Sequence, residues 1–500
     1  MKQTRRQQLV VWVSCLTLLA GTLDSLAAGS AAPAPSSRTQ ARVTTSFDAD
    51  WRFFKGDAPG AEQPNFADAA WRELAVPHDW SIEGPFAKDN PTGGAGGFLP
   101  AGIGWYRKQF TLPEVYARRR VFIDFDGIMA NSDVWLNGFH LGHRPYGYVS
   151  FRYELTGHLN FGHKSNVLAV RADNSGQPAS RWYSGAGIYR HVRLVVTDPI
   201  HIEQWGTFVT TPEVAAERAT VRVESNVVNQ SDEPRSVALL ITLLDPRGQI
   251  VQSATTAAQT IAAGKAADFK QEFAVKAPQL WDIAQPSLYQ VVTRVRAGNA
   301  TLDDETTTFG IRDAHFEPAT GFWLNGRNFK LKGVCLHHDG SAFGAAVPLS
   351  VWARRLALLK QLGVNAIRTA HNPPAPEFLD LCDRMGFLVM DEMFDCWTVA
   401  KNPYDYHLYF KDWSLVDTRD TVRRDRNHPS IIVYSAGNEI HDTPNAALAK
   451  QILSSLVATF HANDPSRPVT QALFRPNVSH DYDNGLADLL DVVGQNYREN

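Results

Sequence analysis

After Gly310 the chain alternates short apolar strands with amphipathic helices, and this alternation restricts the fold more than any other sequence feature. Strands that are joined through helices form a parallel sheet whose face the helices cover. We expect an incomplete (β/α)8 TIM barrel over residues 313–500, with about six strands and without the C-terminal part of the barrel. The predicted strands are Phe329–Leu336, Val364–Arg368, Phe387–Met390, Ile431–Ser435, Pro468–Gln471 and Val492–Asn496, and the predicted helices are Val351–Leu362, Pro376–Met385, Leu415–Arg426 and Ala446–His461.

The residues before the barrel form short β-type runs that Gly, Pro and Asn separate. Residues 46–198 predict a β-sandwich, in which Asn137-Gly138 marks a hairpin. Residues 199–312 contain a second series of strands and predict an immunoglobulin-like β-sandwich. A multidomain protein is also expected from size, because 500 residues are too many for one hydrophobic core.

The first 32 residues have the layout of a secretory signal peptide. A basic start precedes an apolar run over residues 9–23, and small residues suited to cleavage follow. A membrane anchor is the alternative, although the apolar run is short and no stop-transfer flank follows it. We therefore expect an exported protein, periplasmic or extracellular, with residues 33–45 as a flexible linker. Arg5-Arg6 leaves a twin-arginine route open.

The net charge argues against a nucleic-acid partner, and the cysteine spacing argues against a metal site formed by cysteines. The formal net charge is −3, which gives no sign of a nucleic-acid partner, and no membrane contact is expected after signal cleavage. Cys335, Cys382 and Cys396 remain after the signal peptide and lack the paired spacing of a metal site. Buried thiols are the default expectation. A single disulfide among them stays open, and so does the oligomeric state, a homo-oligomer included.

Polar and ionisable side chains recur where the predicted barrel strands end. In a TIM barrel these ends meet at one face, and active sites lie there. Core packing does not account for such residues at five strand ends, so we predict that they form a site. The set comprises His337 and His338, Arg368 and His371, Asp391 and Glu392, Asn438 and Glu439, and Tyr497.

Glu439 is the strongest candidate for a catalytic group in this set. Hydrolysis of a glycosidic bond uses two carboxyl groups; one protonates the leaving oxygen, and in retaining enzymes the other attacks carbon, roughly 5 Å away. Glu439 ends an apolar strand and is predicted to be the general acid/base, with Asn438 binding a neighbouring sugar hydroxyl. For Asp391 and Glu392 two interpretations stay open, namely substrate contact and a structural salt bridge with Arg368.

Three segments carry a resemblance to a known family. Arg426–Glu439 resembles the acid/base signature of glycoside hydrolase family two, Asn365–Pro373 resembles its other signature, and Arg181–Arg190 is similar to the end of its N-terminal sandwich. The resemblance runs from about residue 46 to 500. It implies that residues 46–198 form a jelly-roll sugar-binding domain, followed by the immunoglobulin-like domain and the catalytic TIM barrel. Two positions depart from the signatures: Tyr434 stands where Trp is usual, and Asn372 stands where many members have Tyr.

The resemblance also implies roles for individual residues. His371 matches a family histidine that contacts sugar hydroxyls, and His337 is similarly placed, although either could be structural. Tyr497 matches the tyrosine that hydrogen-bonds the nucleophile. Asn90, in Asn90–Gly93, resembles an asparagine of β-galactosidases that reaches from the first domain and binds galactose; a simple Asn-Pro turn is the alternative.

The function implied by the resemblance is that of a retaining exo-β-galactosidase, which hydrolyses terminal β-D-galactosides of an oligosaccharide or glycoconjugate through a covalent glycosyl-enzyme. The family's nucleophile is a Glu at the end of the seventh barrel strand, so we expect it beyond residue 500, in a longer enzyme. β-Glucuronidase or β-mannosidase activity is one alternative, and a non-catalytic carbohydrate-binding protein is another. Some family β-galactosidases hold Mg²⁺ through a Glu and a His after the third strand. Phe394–Trp397 does not reproduce these ligands, so we predict no metal and no cofactor.

Overall fold

The computed structural model describes residues 41–474 and 476–497, which form three domains in the predicted order. The predicted signal peptide and residues 33–40 of the predicted linker lie outside the described residues. Within the described part, no helix is both long enough and apolar enough to cross a membrane.

The first domain is a sandwich of a four-stranded sheet, ordered β1-β10-β5-β8, and a six-stranded sheet, ordered β3-β2-β4-β9-β6-β7. Alternate residues such as Ile123 and Phe125 of one sheet and Leu168 and Val170 of the other share its core. The strands are β1 (Val43–Ser46), β2 (Trp51–Lys55), β3 (Arg72–Leu74), β4 (Ile103–Phe110), β5 (Arg120–Phe125), β6 (Ser132–Leu136), β7 (Phe139–Arg144), β8 (Phe151–Glu154), β9 (Asn166–Asp173) and β10 (Val192–Thr197). The linker prediction is wrong at its end, because Val43 packs on this core and β1 pairs with β10.

The second domain is also a sandwich, made of the sheets β11-β12-β16 and β14-β13-β17-β18, with β15 paired to β13. In β12 every second residue is buried, including Val221, Val223 and Val227, as expected for a strand with one face on a core. The strands are β11 (Ile200–Val214), β12 (Arg218–Asn229), β13 (Arg235–Leu244), β14 (Ile250–Thr255), β15 (Gln259–Ile261), β16 (Lys265–Lys276), β17 (Tyr289–Ala297) and β18 (Ala300–Phe309).

The third domain is a curled sheet of six parallel strands, β22 to β27 in chain order, which confirms the predicted incomplete barrel. A small antiparallel sheet, β19-β20-β21, precedes it and takes Phe329 out of the first barrel strand. The strands are β19 (Ala314–Glu317), β20 (Gly321–Leu324), β21 (Arg327–Phe329), β22 (Gly333–Leu336), β23 (Ala366–Thr369), β24 (Leu388–Glu392), β25 (Ile431–Asn438), β26 (Val469–Leu473) and β27 (Gly494–Gln495). The helices are α1 (Leu349–Gln361), α2 (Pro376–Met385), α3 (His407–Asp425), α4 (Ala446–Asn463) and α5 (Pro476–Ser479).

Two residues set the ends of helix α2, a proline at its start and a glycine after its last turn. Pro376 occupies its first turn, where the missing N–H costs nothing, and Gly386 ends it with a φ of 69°. A side chain at Gly386 would meet the backbone carbonyl of Ile283, which lies in the connection between β16 and β17 of the second domain. Gly363, which follows α1, has a similar φ of 81°, but a side chain there would meet nothing within 4 Å.

We predict that Gly386→Ala destabilises the protein more than Gly363→Ala. Both changes impose a left-handed conformation on alanine, which costs about 1–2 kcal/mol. Only the first also forces a clash with a backbone carbonyl, which adds roughly 1–3 kcal/mol. Urea unfolding of the two variants measures the difference, and equal losses would contradict the close approach at Gly386.

Candidate active site

Neighbouring residues of β24 point to opposite faces of the barrel sheet. Glu392 pairs in register with Ser435 of β25, and Asp391 pairs with Tyr434. The Tyr434 ring stacks on Phe460 of α4, so this face of the sheet is covered by helices. Glu392 and Ser435 therefore face the other side, towards the inside of the barrel.

The buried carboxylate of Glu392 gathers donors from two neighbouring strands. Arg368 donates to it through Nε and Nη2, each at 2.9 Å, and the Ser435 hydroxyl donates at 2.8 Å. His371 Nδ1 lies 2.6 Å from Glu392 Oε1. Burial alone would raise the pKa of Glu392, but the hydrogen bond with His371 and the charge of Arg368 hold it below its usual range. Glu392 is thus a fixed anion that orients its neighbours.

Asn438, at the end of β25, is oriented by charged groups on both sides. Its Oδ1 accepts hydrogen bonds from Arg368 Nη2 at 2.7 Å and from Asn496 Nδ2 at 3.0 Å. Its Nδ2 donates to Asp395 Oδ1 at 2.8 Å. Because one end meets donors and the other an acceptor, the amide has a single favourable orientation.

Glu439 follows Asn438 with a φ of 48°, in a region that only a few per cent of non-glycine residues adopt. Its backbone N–H donates to the carbonyl of Ala472 on the next strand at 2.9 Å. The side chain is 7% exposed; Oε1 accepts from Asn496 Nδ2 at 3.0 Å, and Oε2 lies 3.6 Å from Arg181 Nη1. Backbone strain of this kind is found mainly at functional sites, which agrees with the predicted role of Glu439.

Asp395 brings two cations to the site that were not among the predicted site residues. Arg181, from the first domain, donates to Asp395 through Nε at 2.9 Å and Nη2 at 2.5 Å, and Lys401 donates at 3.0 Å. Burial alone would raise the pKa of Asp395, but the hydrogen bond from Arg181 and the nearby charges of Lys401 and Arg181 hold it well below its usual range. The position of Asp395 just after β24 could have marked it, whereas Arg181 lies in a different domain.

The two predicted histidines lie on either side of Trp182. The Trp182 ring stacks on His337 at 5.3 Å and meets His371 edge to face at 5.5 Å. Burial, followed by the nearby His371, lowers the pKa of His337, so its imidazole is neutral. Its buried Nδ1 has no hydrogen-bond partner among the described residues.

The remaining predicted site residues have different surroundings. Tyr497 is 80% exposed, and its ring packs edge to face on Phe474 at 6.1 Å. Asn90 donates from Nδ2 to the carbonyls of Pro85 and Phe98 at 2.9 and 2.8 Å, which closes its own loop. The structure thus shows the turn that was the alternative for Asn90, and its contact with galactose stays a prediction.

The prediction that Asp391 binds substrate is wrong. Its side chain is fully buried on the helix-covered face, beside Asp425 at the end of α3. Burial, followed by the charge of Asp425, raises the pKa of Asp391 well above its usual range. The ion pair with Arg368, the other interpretation that stayed open for these two residues, is made by Glu392, because side chains alternate along the strand.

The residues after β24 do not fit a Mg²⁺ site. Phe394, Cys396 and Trp397 are buried and offer no oxygen ligands, and the one carboxylate, Asp395, already binds two cations. Elsewhere in the described residues, Asp380, Asp383 and His428 bring three ligand atoms together. Although burial opposes it, the charge of Asp383 raises the pKa of His428 to about 9, and the two side chains form an ion pair within this group.

Comparison with known proteins finds the same family in each domain. Residues 318–488 match "Glycosyl hydrolases family 2, TIM barrel domain", residues 200–312 match "Glycosyl hydrolases family 2", and residues 99–194 match "Glycosyl hydrolase 2 galactose-binding domain-like". The chain belongs to glycoside hydrolase family 2. The first and second matches agree with the predicted barrel and immunoglobulin-like domains of this family.

Relatives of this family 2 chain include proteins named for two activities. It is 45% identical to the beta-galactosidase BoGH2A of Bacteroides ovatus, with 92% of this chain and 57% of that protein covered. It is 38% identical to a putative beta-glucuronidase of Formosa agariphila, with 88% and 41% covered. A crystal structure of a family 2 member from Bacteroides cellulosilyticus superposes with a TM-score of 0.87 at 40% identity, covering 91% of this chain and 58% of that one. The chain thus spans 41–57% of the length of these two curated relatives.

We predict that Asp391→Asn makes the stability of this family 2 protein less dependent on pH. The pKa of Asp391 lies above its unfolded value, so the folded state binds the extra proton and the free energy of unfolding falls as pH rises above about 4. Asparagine carries no proton to lose and removes this contribution. Urea unfolding at about pH 5 and about pH 8 measures it.

Asp412→Asn is the matched control for this test, since Asp412 is exposed on the same helix as Asp425. It is expected to leave the pH dependence of stability unchanged. An Asp391→Asn variant with the same pH dependence as the wild type would contradict the buried acid pair.

Proposed function

We propose that this chain belongs to a retaining exo-β-galactosidase in which Glu439 is the general acid/base. The observation that carries the proposal is the placement of Glu439: a buried carboxyl at a strained position, at the end of a barrel strand, next to the oriented amide of Asn438. Its neighbours Asn496 and Arg181 approach separate carboxyl oxygens, which fixes the plane of the group.

In the proposed mechanism the Glu439 carboxyl donates its proton to the glycosidic oxygen as the bond from that oxygen to sugar carbon C1 breaks. A second carboxylate, assigned to the longer enzyme beyond residue 500, attacks C1 and forms the glycosyl-enzyme. Glu439 then removes a proton from the water that hydrolyses this intermediate. His337, His371 and Asn438 bind sugar hydroxyls in this proposal, and no metal or cofactor takes part.

The existing partners of the cations in the site support a neutral sugar. The site contains three cations, of which Arg368 is bound to Glu392, while Arg181 and Lys401 are bound to Asp395. A uronate would bring a further carboxylate that needs its own cationic partner. Galactose has no such requirement, and the relative with 45% identity is named a beta-galactosidase.

β-Glucuronidase activity is the second candidate, because the Formosa agariphila relative is named a putative beta-glucuronidase. β-Mannosidase activity and a carbohydrate-binding protein without turnover are weaker alternatives. A panel of aryl β-galactosides, β-glucuronides and β-mannosides, assayed on the full-length protein, decides among the four. Turnover of glucuronides without galactosides would overturn the substrate proposal and leave the role of Glu439 intact.

We also propose that the protein is exported, periplasmic or extracellular, and meets a β-galactoside oligosaccharide or glycoconjugate there. The support is the signal-peptide layout of residues 1–32. N-terminal sequencing of the protein recovered from the periplasm or medium tests this, and a cytoplasmic protein that keeps residue 1 would contradict it.

Replacement of Glu439 by Gln is expected to separate substrates by leaving group. An acid is needed for a poor leaving group such as phenol and hardly at all for 2,4-dinitrophenol. The rate should therefore fall by about 10²–10⁴-fold with the phenyl glycoside. The rate of the first step with the 2,4-dinitrophenyl glycoside should fall far less. Pre-steady-state kinetics with both substrates measures it. Glu272→Gln, an exposed position in the second domain, is the control and should change neither rate. Equal losses on both substrates would argue against an acid role.

A further inference from the structure

Arg181 differs from the other cationic links between the first domain and the barrel. Arg144 binds Asp417 and Asp420, and Arg190 donates to the carbonyl of Pro373 at 2.9 Å. Both of these arginines are buried at the interface, being 6% and 3% exposed. The Arg181 side chain is 39% exposed, so it lies at the open side of the interface, beside the cluster around Glu439. Its exposure therefore distinguishes Arg181 from the arginines that are buried between the domains.

The two hydrogen bonds to Asp395 fix the direction of the third nitrogen of Arg181. Nε and Nη2 both bind the Asp395 carboxylate, so the guanidinium plane is set by a two-point contact. Nη1 is left pointing towards Glu439, 3.6 Å from Oε2. Lys401 stabilises the same arrangement, since its ammonium binds Asp395 and also the backbone carbonyl of Asn438 at 2.8 Å.

We propose that Arg181 is a positioning residue through which the first domain assists the acid/base Glu439. This inference rests on the proposed function. During the acid step the proton leaves the Glu439 carboxyl for the glycosidic oxygen, which keeps the electron pair of its broken bond to C1. The carboxylate that remains carries a new negative charge, and the guanidinium of Arg181 stabilises that charge at short range. Arg181 also lies 3.6 Å from Oε2, while Asn496 donates to Oε1, so the two groups limit the rotation of the carboxyl.

The consequence is that the catalytic barrel depends on a residue of a separate sandwich. Arg181 lies in the segment after β9, and Asp395 lies after β24, 214 residues later in the chain. Asp395 therefore links the two domains. It binds Arg181 of the first domain, and it accepts a hydrogen bond from Nδ2 of Asn438, which ends the barrel strand β25 just before Glu439. A free barrel would lose this cation even if it folded.

The test uses the full-length enzyme with Arg181→Met and Arg181→Lys. Met keeps much of the side-chain volume without the charge, and Lys keeps the charge without the two-point contact. We expect Arg181→Met to lower kcat/KM for a phenyl glycoside by about 30–100-fold. The rate of the first step with a 2,4-dinitrophenyl glycoside should fall by less than about 3-fold. Arg181→Lys should recover part of the loss. Arg72→Met is the control, because Arg72 makes a similar two-point contact, to Glu83, and its side chain is 49% exposed in the same domain.

A second variant pair tests whether Arg181 acts through Glu439. If it does, Arg181→Met in a Glu439→Gln background should cause no further loss on the phenyl glycoside, since no carboxylate forms there. Equal losses on both leaving groups, a change confined to KM, or additive losses in the double variant would each overturn the proposal. The assay uses whichever aryl glycoside the wild type hydrolyses, so a glucuronidase would refute the galactoside proposal without affecting this test.

A crystal structure of the full-length Arg181→Met variant gives a readout that does not depend on turnover. The Glu439 carboxyl should leave the position in which Oε1 contacts Asn496. An unchanged carboxyl would overturn the positioning role. A wild-type protein that hydrolyses no aryl glycoside would refute the proposed function, and the crystal structure would then decide by itself whether Arg181 positions the Glu439 carboxyl.

Discussion

The buried carboxylate of Glu392 is the interaction on which the rest of the site depends. It is fully buried, and it holds Arg368 of β23 and Ser435 of β25 across its own strand, together with His371. Arg368 in turn donates to Asn438, so the orientation of that amide follows from the same anion. Removal of one partner from such a buried pair costs about 3–5 kcal/mol, because the other charge is left unpaired. The negative charge of Glu392, on the inner face of the barrel sheet, therefore sets the positions of the surrounding site residues.

A second buried carboxylate, Asp79, performs a similar task at the domain junction. It accepts hydrogen bonds from the Tyr183 hydroxyl at 2.5 Å and from the backbone N–H groups of Ser81, Ala186 and Ala345 at 3.1, 2.9 and 2.8 Å. Ala345 belongs to the loop after β22, whereas the others belong to the sandwich. The segment that contains Arg181 and Trp182 is thus attached to both domains next to the site. Without this attachment neither side chain would reach the barrel residues with a defined geometry.

The two carboxylates explain why the sandwich is part of the site as well as a neighbour of it. Trp182 packs between the histidines of the first two barrel strand ends, and Arg181 meets Asp395 after the third. Each contact joins residues more than 150 positions apart, so it exists only when the domains have docked. Each of the three cations of the cluster that the structure describes, Arg181, Arg368 and Lys401, has a carboxylate partner.

The sequence by itself determined the domain order, the six parallel strands and the face at which Glu439, Asn438, Arg368, His371 and His337 meet. These follow from apolar periodicity and from polar residues at strand ends, which are local properties of the chain. The tertiary structure decided what local patterns do not contain. It showed that Glu392 and not Asp391 faces the site. Side chains alternate along a strand, so the sequence places these two residues on opposite faces of the sheet but does not say which face lies inside the barrel. It also placed Asn90 on its own loop and Arg181 beside Glu439, because contacts between domains depend on docking and leave no periodic signal in either segment.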